Sequence, residues 1–209
     1  MLMKLRNDSI TVVILGDWNR LFIQPDWVAG NVFETPEIEI GIEGAGSSFS
    51  VTYKKDMVLM KPTQSKVEFS IIGVQDETLK SLEKCINNYL KKAYTPVITA
   101  YGFNADYVDA EDTKLAEVFD TMSDADIVSD LGYEIKASEI KRSLIKDEKI
   151  INMQCKIDHT ITTIHFNEHH PNSDETQVEI SADKLRNFLE ETKKIVEGLG
   201  YEIEVEVNE

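Results

Sequence analysis

The sequence predicts an α+β protein in which antiparallel sheets are each packed by one long amphipathic helix. Three observations predict it. Short apolar, β-branched runs, several alternating with polar residues, fill residues 10–72, as antiparallel strands with a buried face require. Two stretches, about 76–93 and 182–198, carry apolar residues at the 3.6-residue period of a helix with one buried stripe. The four residues Val67-Glu68-Phe69-Ser70 precede the first stretch and Val178-Glu179-Ile180-Ser181 the second, 111 residues apart. This spacing points to two pseudo-repeated halves, 1–108 and 109–209, either separate or joined in one continuous domain.

The elements follow in order. Ile10 to Leu15 is almost wholly apolar and β-branched, the composition of a strand covered on both faces. Asp17-Trp18-Asn19-Arg20 reads as a turn and Leu21-Phe22-Ile23, before Pro25, as a second strand. Ile38, Ile40 and Ile42 alternate with Glu37, Glu39 and Glu43, which predicts a half-buried strand with an acidic outer face. Glu43 to Ser48, rich in glycine and serine, is the hairpin turn, and Phe49, Val51 and Tyr53 alternate beyond it. Strands are expected at Met57–Met60 and Val67–Ile72. In the first helix Leu82, Ile86, Tyr89 and Leu90 share a face, Asp76 suits the N-cap, and Lys91 and Lys92 suit the negative C-terminus. Val97–Phe103 resumes as a strand, and an acidic loop leads into a helix bearing Leu115, Val118, Phe119 and Met122. Strands are expected again at 133–145, 150–157 and 160–166, then at Val178–Ile180. The last helix buries Leu185, Phe188, Leu189, Ile195 and Val196, ends at Gly198 and Gly200, and hands over to a strand at Ile203, Val205 and Val207.

Charge narrows the function. Thirty-eight acids face 22 bases, a net charge of −16, and only four of the bases are arginine. Such a surface repels phosphate backbones and anionic lipid, so no direct contact with nucleic acid or membrane is expected. Residues 10–15 are too short for a signal peptide or a membrane span. Cys85 and Cys155 each fall within an apolar pattern, as buried, protonated thiols do in a reducing compartment, so the cytoplasm is the expected location.

Two groups of residues stand out. All four histidines, His159, His165, His169 and His170, fall within twelve positions near Asp158, Glu168 and Asp174, a donor set suited to zinc or another borderline divalent cation. Their spacing matches no established metal motif, and a polar turn at His169-His170 with a solvent-facing His165 on a strand is the plainer reading. Asp17, Trp18, Arg20, Asp26 and Trp27 place both tryptophans beside charged residues, the composition of an interface anchor with a polar rim. Packing against the first sheet is the plainer reading of the same pair. The acids from Asp106 to Asp130 lack the calcium-loop pattern, and Gly44-Ala45-Gly46-Ser47-Ser48 lacks both a nucleophile elbow and a phosphate-loop lysine.

No arrangement points to catalysis, so the expectation is a non-enzymatic acidic interaction module, of accessory, regulatory or immunity type, with a basic protein partner. Open sheet edges make a homodimer compatible with the sequence. The alternatives are a metal-binding protein or metal-dependent hydrolase using the histidine segment, and an acidic mimic of nucleic acid.

Overall fold

The computed structural model describes residues 2–18, 23–45, 48–93, 98–109, 130–133, 136–147, 149–158, 161–172 and 178–204. Among the described residues, eleven strands form a single sheet. In chain order they are β1 Leu2–Leu5, β2 Thr11–Gly16, β3 Glu39–Ala45, β4 Ser48–Lys55, β5 Val58–Pro62, β6 Lys66–Ile71, β7 Ile98–Asp109, β8 Ala137–Lys146, β9 Lys149–Asp158, β10 Ile161–Pro171 and β11 Glu202–Glu204. Helices within the described residues include α1 Pro25–Val28, running into a π-helical turn at Ala29–Phe33, α2 Asp76–Lys92 and α3 Ala182–Gly198.

The main path through the sheet runs β3-β4-β5-β6-β2-β7-β10-β9-β8, with every neighbouring pair antiparallel. β1 sits beside the far end of β7 and pairs in parallel with β11. β2 is the stitch. Its residues 11–15 face Ser70 to Lys66 on one side and Asn104 to Ala100 on the other, which joins the early strands to the late ones.

This corrects the expected fold class. The chain is dominated by one large antiparallel sheet, not by separate small sheets each packed by its own long helix. The physical reason is that alternation records which face a strand buries and says nothing about which distant strand it bonds. The segment Val178–Ile180, expected as a strand and half of the repeat signal, has no strand pairing. The expected strand at Leu21–Ile23 falls largely outside the described residues, as do the helix around Leu115–Met122 and the end of the last strand beyond Glu204.

Alternation sets the two faces. Val12 and Ile14 of β2, Val67, Phe69 and Ile71 of β6, Phe103, Ala105 and Tyr107 of β7, and Ile164 and Phe166 of β10 are all buried on one side. Leu79, Leu82, Ile86 and Tyr89 of α2, and Leu185, Phe188 and Val196 of α3, close over them. Ring contacts join the layers at Phe69–Tyr89, 5.8 Å between centroids, and Phe103–Phe188, 5.9 Å. Each fully buried side chain of this kind contributes about 1.5–3 kcal/mol of transfer free energy.

The helix ends follow their sequences. Gln75 is the N-cap of α2, with Asp76 in its first turn instead of at the cap, and Asp76 pairs across to Arg186 of α3 at 2.8 Å. The Ser181 hydroxyl accepts from the Lys184 N–H at 3.3 Å, and Glu83 of α2 accepts the Ala182 N–H at 3.0 Å, so two of the orphan donors of α3 are satisfied. Gly200 follows α3 at φ +93°, the left-handed position where glycine carries no steric cost. Among the described residues no helix is long and apolar enough to cross a membrane.

Candidate interaction edge

The tryptophan segment folds inward. Trp18 is 2% exposed and its ring lies 5.1 Å from Tyr89, while half-buried Trp27 meets the same ring edge-on at 6.3 Å. Asp17 and Asp26 remain exposed beside them, and Arg20 falls outside the described residues. Burial pushes the Tyr89 hydroxyl strongly upward, so it stays protonated within this aromatic cluster.

The histidines are divided by the strand they share. Along β10, alternation sends His165 and His169 to the face away from the helices and His170 to the helix side. His165 lies opposite Asp106, with Nδ1 2.6 Å from its carboxylate. His170 stacks on Tyr101 at 4.5 Å and lies 2.7 Å from Glu168. His159 is outside the described residues. Among the described residues, no three His, Cys, Asp or Glu side chains are grouped closely enough to hold a metal ion.

Glu168, like Asp109, is a buried acid on the helix side. Its side chain is 5% exposed, and Lys149 reaches it at 2.7 Å while also pairing with Glu191 of α3. Burial alone would raise the Glu168 carboxyl, but His170 and Lys149 outweigh it and hold the group below its usual range. The same burial works against the Lys149 ammonium, and the two glutamates hold it above its usual value. Both cysteines are buried, with thiols pushed up by desolvation to about 11, so neither is poised as a nucleophile.

The outer part of the β3–β4 hairpin carries apolar side chains that the core does not cover. α2 packs over β5 and β6, and the core side of the sheet continues past it onto β4 and β3. Tyr53 marks the limit of the cover: it is buried, lies opposite Met60 of β5, and its hydroxyl donates to the Ile23 carbonyl at 3.0 Å. Beyond it Ile40, Ile42 and Phe49 are 47%, 70% and 66% exposed. The expectation that β3 is half-buried is therefore corrected, because its isoleucine face extends past the helices that would cover it. On the other face Glu39 pairs with Lys54 at 3.0 Å and Glu43 with Lys61 at 3.7 Å. β3 ends the sheet, so one side of its backbone has no ladder partner among the described residues. The sequence showed the alternation of this strand; only the sheet order shows that it is an edge.

No protein-family profile matches the chain, and no curated protein matches it.

Proposed function

We propose that the protein is a non-enzymatic interaction module that takes an extended, basic segment of a partner as an added strand along β3. The observation that carries this reading is an exposed edge strand with two isoleucines on one face and two glutamates on the other. Strand addition satisfies the open backbone groups of β3 and draws its affinity from those main-chain bonds. Ile40, Ile42 and Phe49 supply the apolar contacts that select alternate side chains of the incoming strand. Glu37, Glu39 and Glu43, with no base between residues 37 and 45, favour lysine or arginine on the opposite face and speed encounter.

A peptide of alternating lysine and valine, fluorescently labelled, is the probe. Its anisotropy is expected to rise on titration with the protein and to weaken in moderate salt, because the charged face is solvent-exposed. Ile42→Lys is expected to weaken binding at least tenfold, while Asp26→Asn, beside the buried tryptophans, leaves it unchanged. Equal binding by wild type and Ile42→Lys would remove β3 as the site.

A further inference from the structure

We propose that the strand received by β3 carries an aromatic residue at its centre, in the order basic, branched apolar, aromatic, branched apolar, basic, with the ring laid over Gly41. This rests on the strand-addition reading and names the sequence that the edge selects.

Gly41 interrupts the acidic face. Along β3, alternation places Glu39, Gly41 and Glu43 on the face away from the helices, and Ile40 and Ile42 on the helix side. Gly41 is exposed, and a Cβ built there would come no closer than 3.8 Å to Thr52, its partner on β4. A gap therefore lies between the two glutamates, floored by backbone and by half-buried Thr52. Glycine within a strand leaves its backbone uncovered, and an aromatic ring from a neighbouring strand laid across it restores the missing contact. The hairpin itself sets an aromatic residue against a glycine once, with Phe49 opposite Gly44. Gly41 has Thr52 on its inner side, and its outer side is the edge of the sheet.

The flanking positions follow from the same alternation. Lys54 pairs with Glu39 at 3.0 Å and Lys61 with Glu43 at 3.7 Å, and both lysines belong to inner strands, β4 and β5. Each glutamate is thus held from within, and the basic residues of an incoming strand meet it from the edge side. The positions opposite Ile40 and Ile42 fall on the helix side, where branched apolar side chains pack against them. The pattern reads the same in both directions, so it holds whether the strand adds parallel or antiparallel to β3. β11 is a second open acidic edge, with Glu202 and Glu204 about Ile203. It contains no glycine, and Lys4 holds Glu204 at 3.0 Å, so it lacks the gap that selects the ring.

Anisotropy titration of the full chain with two labelled peptides tests this. Both read Lys-Val-X-Val-Lys between serine flanks, with phenylalanine or alanine at X. Wild type is expected to bind the phenylalanine peptide about two- to fivefold more tightly, the span of a favourable cross-strand pair relative to alanine. Gly41→Val fills the gap and is expected to bring the two affinities level, with an unchanged circular dichroism spectrum. Should Gly41→Val fold poorly, Gly41→Ala, whose Cβ meets nothing closer than 3.8 Å, is expected to narrow the preference. Glu202→Lys is expected to leave both affinities unchanged. Equal binding of the two peptides by wild type, or a preference undiminished by the substitution at Gly41, overturns the aromatic selection. Strand addition then still stands if Ile42→Lys weakens both peptides. Loss of binding in Glu202→Lys moves the site to β11, and failure of both peptides to bind removes it altogether; either result overturns the reading of β3 as well.

Discussion

At the residue scale, the Lys149–Glu168–His170 group shows how one buried charge is made tolerable. A carboxylate with 5% of its side chain exposed loses its hydration, and only close countercharges compensate. Lys149→Met keeps the apolar stem and removes the ammonium. Equilibrium urea unfolding is expected to show a loss near the lower end of about 3–5 kcal/mol, since Lys149 is itself 26% exposed and His170 remains. A loss inside the range of a surface ion pair, about 0–1 kcal/mol, would mean that water reaches Glu168. The pH dependence follows from the direction of the shift. The Glu168 carboxyl is held below its usual 4.5, so its contribution to stability is complete above that value and is lost as pH falls through the lower folded-state value. The urea midpoint is expected to fall below pH 4.5 in wild type and to fall less in Glu168→Gln. None of this was legible in the chain beforehand. In the sequence Glu168 lies past the expected 160–166 strand, beside the histidines as a candidate metal donor, and Lys149 falls between the strands expected at 133–145 and 150–157. What joins them is the β9–β10 pairing and the passage of α3 overhead.

At the element scale, helices and strands were legible wherever the contacts that define them are local. The stripe Leu82, Ile86 and Tyr89 of α2 and the alternation Ile151, Met153 and Cys155 of β9 each mark a buried face directly. β3 shows the opposite case. Its pattern of Ile40 and Ile42 has the period of a covered strand, yet cover depends on where α2 ends, which no residue of β3 encodes. Central strands carry a different constraint. Gly102 of β7 lies opposite His169, and a Cβ there would sit 2.9 Å from the Glu168 carbonyl oxygen, backbone that cannot step aside cheaply. Gly102→Ala is expected to cost about 1–3 kcal/mol in urea unfolding, whereas Gly41→Ala, whose nearest contact is Thr52 Cβ at 3.8 Å, is expected to cost no more than a few tenths. Equal costs at the two positions would show that β10 shifts freely against β7.

At the scale of the whole molecule, β2 makes the early and late strands mechanically dependent on one another. It is six residues long and bonds β6 on one side and β7 on the other, with Val12 and Ile14 fully buried beneath the helices. The halves suggested by the weak Val67 and Val178 similarity would unfold separately if each held its own core. A shared central strand, with the α2–α3 pair Asp76–Arg186 above it, instead predicts one cooperative transition. Ile14→Ala tests this, because the cavity it leaves lies at the stitch and is expected to cost about 2–5 kcal/mol. In native-state hydrogen exchange, amides of β6 and of β10 are both expected to lose protection by that same amount, although β10 never touches β2 in the ladder. If protection falls in β5 and β6 while β9 and β10 keep theirs, the sheet is continuous in hydrogen bonds but divided in stability. In that case the boundary runs between β2 and β7.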